Sequence, residues 1–395
     1  MTTTREVQGT TTGTVLHLAF ELGLAQWKLA LTIGLGQAAR LRSVDARDRT
    51  AVLKEIALAK QRFGLPADAG VVSCYEAGRD GFWLHRWLQS VGVHNLVVDS
   101  SSIEVKRQKR RAKNDRLDAS ALVRLLVRYQ LGENKVWSVV RVPSKNDEDA
   151  RRLHRELLSL KDERTRLTNQ MKGLLIGQGV VLTKVKADFA DWLSGVCCPD
   201  GAFVPPELQA ELRRSFERWQ LVQRQILALD CEHRRRIRDD ATPHVELVRR
   251  LLRLRGIGRC GAWLLVKELF AWRQITSRKQ LGGLVGLTPT PYDSGTSRRE
   301  QGISKAGNKR LRRLLVELAW NWRRFQPGSA LSIWFERRFG QGARHRRVGI
   351  VALARKLLIT LWRYLEKGET PPGVTIFMDW HSKVNGWAAW KEAAA

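Results

Sequence analysis

Four acidic side chains stand where phosphodiester chemistry would need them. Glu21 closes a first apolar stretch, Glu76 follows the β-branched run Gly70–Tyr75, and Asp115 and Asp118 fall three residues apart where an apolar-periodic segment begins. On a helix that spacing puts both aspartates on one face. Carboxylates from strand ends and from a neighbouring helix can converge on one spot and hold Mg²⁺, which prefers hard oxygen ligands. A pair of such ions aligns an attacking and a leaving oxygen at phosphorus. Spacing of this kind also has a plainer reading: acidic residues are common at strand ends, and Asp115 suits a helix N-terminus by charge alone. Lys106, Arg107, Lys109, Arg110, Arg111 and Lys113 crowd the segment just before the two aspartates. Such a run is a solvated face, or it draws phosphate in against the acidic repulsion.

A second constellation lies late in the chain. Tyr292-Asp293-Ser294-Gly295 is followed by Arg298-Arg299 and by Gly302-Ile303-Ser304-Lys305-Ala306-Gly307-Asn308-Lys309-Arg310. A serine beside a glycine on a loop is exposed, and with Arg298, Arg299, Lys305, Lys309 and Arg310 to bind backbone phosphate it can attack phosphorus. Taken alone, Ser294-Gly295 reads as a turn, and Ser304 reads as an N-cap or turn-positioning residue. Upstream, Gly256-Ile257-Gly258 between two apolar helices has the pattern of a helix-hairpin-helix module. In such a module close-approaching glycines and free backbone N–H groups bind a phosphate without reading bases. An ordinary packing corner is the alternative.

The elements that must position these residues change texture along the chain. Residues 1–13 read as a flexible tail. From 14 to 145 strands and helices alternate (Val15–Leu22, Trp27–Ile33, a helix Ala46–Phe63, a strand Gly70–Tyr75, a helix Asp80–Val91, a strand Asn95–Asp99, a helix Leu117–Tyr129), which predicts an α/β domain with a mixed sheet. Between 146 and 240 the stripe Leu153, Leu157, Leu160, Leu167, Met171, Leu174 resumes after a Gly/Pro loop as Leu208, Leu212, Phe216, Trp219, Val222, Ile226, Leu229. That spacing predicts a coiled-coil helical hairpin, closed within the chain or dimerising. From 241 to 366 the chain reads as mainly α-helical and basic, and 367–395 as a tail carrying Trp380, Trp387 and Trp390.

The 395 residues hold 69 Lys and Arg against 39 Asp and Glu, a formal net charge of +30, and this surplus points to a polyanion. No apolar run reaches the roughly 20 residues that span a bilayer; the most apolar late stretch, Val348 to Leu365, is broken by Arg355, Lys356 and Arg363. The Thr-rich start lacks a signal-peptide pattern. The five cysteines show no Cys-x-x-Cys spacing, which argues against a zinc module and for a reducing compartment. A nucleic-acid-binding, cytoplasmic protein is the expectation.

Tyr75-Glu76-Ala77-Gly78, Lys113 to Ala119, Arg255 to Ala262, Leu284 to Pro289, Ser294-Gly295 and Gly302 to Arg313 together resemble the insertion-sequence one-ten family of transposases, in the family's order and over about residues 14 to 365. The resemblance implies an RNase H-like (RuvC-like) N-terminal domain whose acidic tetrad binds Mg²⁺, with Glu76, Asp115 and Asp118 on its last three positions and Glu21 where the family has aspartate. It implies Ser294 as the nucleophile that forms a covalent phosphoserine link to DNA. It also implies a structured guide (bridge) RNA that pairs with donor and target DNA, and a homodimer or homotetramer. Two other readings stay open at this point: a RuvC-like metal-dependent nuclease in which Ser294 is a bystander, and a catalytically inactive DNA- and RNA-binding protein.

Overall fold

The computed structural model describes residues 15–104, 115–294, 297–377, 379, 380 and 384. The chain divides into two compact units, Met1–Val142 and Pro143–Ala395.

In the first unit, β1 (Leu16–Leu22), β2 (Gln26–Thr32) and β3 (Arg40–Asp45) form an antiparallel meander, followed by helix α1 (Arg49–Arg62), strand β4 (Val71–Glu76), helix α2 (Trp83–Ser90), strand β5 (His94–Val98) and helix α3 (Asp115–Gln130). They build one five-stranded sheet in the order β3-β2-β1-β4-β5, with β4 parallel to both β1 and β5. The central strand β1 is buried without a break from Leu16 to Phe20, as expected of a strand covered on both faces. Its pleat sorts the side chains. Leu16, Leu18 and Phe20 pack with Tyr75 against Val52 and Ile56 of α1 and Leu84 and Leu88 of α2. Ala19 and Cys74 pack against Ala119, Leu122, Val123 and Leu126 of α3.

The α/β expectation for this half holds, with boundaries shifted by a few residues. The sequence reading missed β3, an edge strand whose Arg40-Leu41-Arg42-Ser43-Val44-Asp45 keeps only Val44 buried. Charged edge strands resist unwanted pairing and for the same reason carry little apolar signal.

The second unit opens with α4 (Lys145–Asp149), started by a reciprocal capping box between Ser144 and Asp147. Helices α5 (Arg152–Ile176), α6 (Phe189–Gly195) and α7 (Pro206–Asp239) follow. The expected stripe is the seam of an antiparallel pair within the chain: Leu157 meets Ile226 at one end, and Met171 meets Leu212 and Phe216 at the other. Arg164, the polar break in that stripe, donates to Gln223 at 3.0 Å across the pair.

Next come α8 (Pro243–Leu252), α9 (Arg259–Leu265) running into a π turn (Val266–Phe270), α10 (Arg278–Val285), strands β6 (Pro289–Ser294) and β7 (Ser297–Ile303), and helices α11 (Lys309–Phe325), α12 (Ala330–Phe339) and α13 (Ala343–Lys367). The apolar stretch from Val348 to Leu365 supplies core residues: Leu353, Leu357, Leu358 and Leu361 of α13 are fully buried, and truncating any one to alanine costs about 2–5 kcal/mol. Among the described residues no helix is long and apolar enough to cross a membrane. The glycine-rich region read as a loop is in part a β-hairpin, so this half is not purely helical. Pro289 and Pro291 and the charged β7 obscured the strand pattern, since neither proline can donate to a ladder.

Candidate functional site

Two groups of residues, one in each unit, hold the side chains singled out from the sequence. In the first unit, Glu21 and Glu76 sit at the C-terminal ends of the adjacent parallel strands β1 and β4, and both line one cleft of about 240 Å³. By strand alternation Glu21 shares the face of Ala19, and Glu76 that of Cys74, which is the face packed by α3. The sequence motif Tyr75-Glu76-Ala77-Gly78 forms the cleft wall and is fixed locally. The Tyr75 hydroxyl donates to the Gly81 carbonyl at 3.0 Å, the Ala77 N–H to Val98 at 2.8 Å, and the Ser100 hydroxyl to the Ala77 carbonyl at 3.1 Å.

Asp80 is a third carboxylate of this cleft and was not singled out from sequence. It pairs with Arg79 at 2.9 Å and Arg47 at 3.6 Å, so its charge is already compensated. The buried Cys74 lies beneath. Burial first, then the Glu76 charge, push its thiol well above the ordinary range, which keeps it neutral and unreactive.

The donors Glu21 and Glu76 are hard oxygens, a set that fits Mg²⁺ in preference to a thiophilic ion. Asp118 lies on α3, whose neighbouring Ala119 packs against the sheet; the Asp115 side chain and Lys113 lie outside the described residues. Among the described residues, no group of three or more His, Cys, Asp and Glu stands close enough to hold a metal ion.

In the second unit, Ser294 is the last residue of β6 and pairs with Ser297. It therefore stands at the tip of a hairpin and not in an irregular loop. Gly295 lies outside the described residues, as do the side chains of Ser294, Arg298 and Arg299. Asp293 faces Arg298 and Tyr292 faces Arg299 in the backbone register.

A two-stranded hairpin is marginal by itself, and this one is held at its base. Gly286 (φ 67°) and Gly307 (φ 80°) let the two feet interlock: a methyl group on Gly286 would overlap the Ala306 carbonyl oxygen, and one on Gly307 the Leu284 carbonyl oxygen. Ser304 N–H donates to Thr288 at 2.9 Å, Lys305 N–H to Gly286 at 3.2 Å, and Asn308 N–H to Leu284 at 2.9 Å. The Arg312 guanidinium donates to the carbonyls of Val285 and Ala306, both at 3.2 Å. The N-cap of α11 is Asn308, whose side-chain oxygen accepts from Arg310 and Leu311; Ser304 belongs to the hairpin base. Lys305, Lys309 and Arg310 are all exposed around this start of α11.

Behind the base is a residue that sequence reasoning missed. Glu268, in the π turn, is 2% exposed and accepts two hydrogen bonds from Arg155 of α5, at 2.6 and 2.9 Å. It also accepts one from the Asn308 amide at 3.3 Å, with the Arg151 guanidinium 3.9 Å away. Burial opposes its ionisation, but the Arg155 hydrogen bonds and the Arg155 and Arg151 charges hold its carboxyl below the ordinary range. Nothing near Glu268 in sequence signals this. Its partners lie more than a hundred residues back and forty ahead.

Gly256 and Gly258 form the turn between α8 and α9. Gly256 makes its close approach to α11, where a methyl would meet the Asn321 carbonyl oxygen at 3.3 Å and Phe325 Cβ at 3.4 Å; Gly258 has open space around it. Trp387 and Trp390 lie outside the described residues, and Trp380 packs under the Arg249 guanidinium at 5.3 Å.

Residues 248–332, which include the hairpin and its base, match the family described as "Transposase IS116/IS110/IS902 family". Over 91% of the chain and 94% of the relative, the sequence is 37% identical to "Putative transposase y4rJ" of Sinorhizobium fredii. It is 30% identical to "Transposase for insertion sequence element IS1328" of Yersinia enterocolitica over 65% of the chain and 72% of that protein. It is 25% identical to "Transposase for insertion sequence element IS1111A" of Coxiella burnetii over 76% of the chain and 79% of that protein.

Proposed function

The chain belongs to the IS116/IS110/IS902 family of insertion-sequence transposases, and from that premise we propose that it cuts and rejoins DNA through a phosphoserine intermediate on Ser294, with Mg²⁺ held by Glu21, Glu76, Asp115 and Asp118. The observation that carries the metal half of this reading is the single cleft shared by Glu21 and Glu76 on the α3 face of the sheet. The sheet order β3-β2-β1-β4-β5, with only β2 antiparallel to its two neighbours, supports an RNase H-like domain.

In the reaction, the Ser294 hydroxyl oxygen forms a bond to phosphorus as the bond from phosphorus to a sugar oxygen breaks, and the released oxygen takes up a proton. A hydroxyl is a weak nucleophile and needs activation. Arg298, Arg299, Lys305, Lys309 and Arg310 hold the phosphate and offset charge that develops on it. Bound Mg²⁺ supplies Lewis-acid stabilisation of the phosphoryl oxygens. The new ester conserves the energy of the broken one, so a strand hydroxyl can reverse the step and rejoin DNA without ATP. Serine and carboxylates belong to different units, and the reading requires them to meet on one phosphodiester, within a protomer or across a homodimer or homotetramer. A structured guide RNA would set the sequence choice by pairing with donor and target DNA.

The test is to incubate wild type and Ser294→Ala with Mg²⁺, co-purified RNA and end-labelled DNA. Wild type should yield a protein-linked DNA species and Ser294→Ala none. A persistent adduct in Ser294→Ala removes the serine assignment, and cut ends without attached protein in wild type favour the water-activating nuclease. A discrete structured RNA recovered with the protein supports guidance.

A further inference from the structure

Between Trp320 and Arg363 the chain carries ten Lys and Arg and a single acid, Glu336. That acid is already engaged, by Arg323 and by Arg346 at 3.9 Å. Among the described residues, Arg337, Arg338 and Lys356 pair with no carboxylate. They do not merely face water. A groove of about 600 Å³ along α12 is lined by Ile333, Trp334, Arg337 and Arg338. Ile333 is 41% exposed, the Lys356 ammonium stands 4.6 Å from the Trp334 ring, and Phe339 meets Trp334 edge-on at 5.6 Å. The Arg338 guanidinium lies 5.8 Å from the Phe339 ring.

We propose that this α12 groove is a second nucleic-acid site that takes unpaired nucleotides, with a base against Trp334 and Ile333 and flanking phosphates on Arg337, Arg338 and Lys356. Two features together favour that occupant. A groove with Arg337, Arg338 and Lys356 around it, and the neighbouring Glu336 already paired, suits a polyanion. A plain duplex uses only the cations, because its bases are stacked inside; an indole and an isoleucine set among arginines offer contact area to a base that is splayed out. The groove uses none of the residues invoked around Ser294 and does not rest on the serine chemistry, since binding alone is measured.

The test uses full-length protein with a 12-nucleotide oligoribonucleotide, the oligodeoxyribonucleotide of the same sequence, and the DNA duplex, each carrying 5-iodouracil. Photo-cross-linking should place the single strands on the α12 peptide, and the two single-stranded arms tell RNA from DNA as the preferred source. Trp334→Ala should weaken single-strand binding about tenfold, the scale of one lost stacking contact, and change duplex binding less than about twofold. Because Trp334 also touches the core, the exposed Ile333→Gln serves as a second variant, losing about two- to threefold on single strands with unchanged melting temperature. Arg337→Glu with Arg338→Glu should weaken every arm and lower the salt slope by about two. Equal losses on duplex and single strand in Trp334→Ala would reduce the groove to a charge patch and overturn the proposal. Absence of a cross-link on α12, or no loss in either apolar variant, would overturn it as well.

Discussion

Asn308 and Glu268 are joined by one hydrogen bond, 3.3 Å from the Asn308 amide nitrogen to a carboxylate oxygen of Glu268, while the other end of the same amide caps α11. The helix that begins with Lys309 and Arg310, the base of the serine hairpin and the α5 helix bearing Arg155 are thereby held at a single buried carboxylate.

Removing that carboxylate should cost more than its hydrogen bonds. Glu268→Ala leaves Arg151, 7% exposed, with only the part-exposed Glu148 at 4.0 Å as a counter-charge. Breaking one side of a buried pair costs about 3–5 kcal/mol, and the lower end applies here because Arg155 is 39% exposed and can turn to water. Asn308→Ala should cost about 1 kcal/mol through the lost cap. Urea unfolding measures both. A Glu268→Ala midpoint equal to wild type would show that the network holds nothing.

The hairpin base makes a sharper prediction because two glycines with similar backbones differ in surroundings. Gly286 has φ 67° and meets the Ala306 carbonyl, whereas Gly302 has φ 88° and open space. An added methyl at Gly302 pays only the left-handed penalty of about 1–2 kcal/mol. At Gly286 it must also push the 304–308 segment off residues 284–288. Gly286→Ala should therefore lower the melting temperature further than Gly302→Ala and abolish strand exchange. Equal effects from the two would mean that the interlock is incidental.

How far these features were legible in sequence follows from the range of the signals. The strands bearing Glu21 and Glu76 announce themselves through runs of apolar residues, and the α5–α7 seam through its spacing, because local periodicity encodes both. β3 and β7 stay hidden since their side chains are mainly polar or charged and their pairing is the only thing that makes them strands. Ser294 and its cations were visible as types, but the hairpin that presents the serine depends on contacts between Leu284–Thr288 and Ser304–Asn308. Glu268 was invisible: burial and its arginine partners come from distant segments, and nothing local distinguishes it from a surface glutamate.

Acid should destabilise the second unit for a specific reason. His154 and His233 are buried, their rings 5.8 Å apart, with His233 also 4.6 Å from Trp263. Burial, then Lys161, lowers the His154 pKa from 6.5 to about 4, with Glu268 opposing. Burial, then His154, Arg259, Lys161 and Arg236, lowers that of His233 to about 3. Both are depressed below the unfolded value, so the unfolded chain binds more protons between those limits and stability rises with pH there. The stabilisation is complete above about pH 6.5 and is lost as pH falls toward 4 and 3. From pH 8 to pH 5 each histidine should cost about 2 kcal/mol. His233→Phe should remove about half of that slope; a urea midpoint independent of pH over this range would refute the account.

The carboxylate cleft can be tested without any exchange assay. Glu21 and Glu76 carry like charges at the same end of two adjacent strands, and a cation seated between them would bind the folded state alone. Ligand that binds only the native state raises stability by about 2.7 kcal/mol at a hundredfold excess over Kd, so millimolar Mg²⁺ should raise the melting temperature of the first unit and EDTA should reverse it. Glu21→Gln and Glu76→Gln keep the side-chain shape, remove one charge each, and should each abolish the Mg²⁺-dependent rise. Glu21→Asp tests reach separately: it restores the charge on an arm shorter by one methylene, so it should retain a rise, at higher Mg²⁺. An undiminished Mg²⁺ shift in both glutamine variants would place the ion elsewhere, and these two strand ends would then be ordinary surface carboxylates.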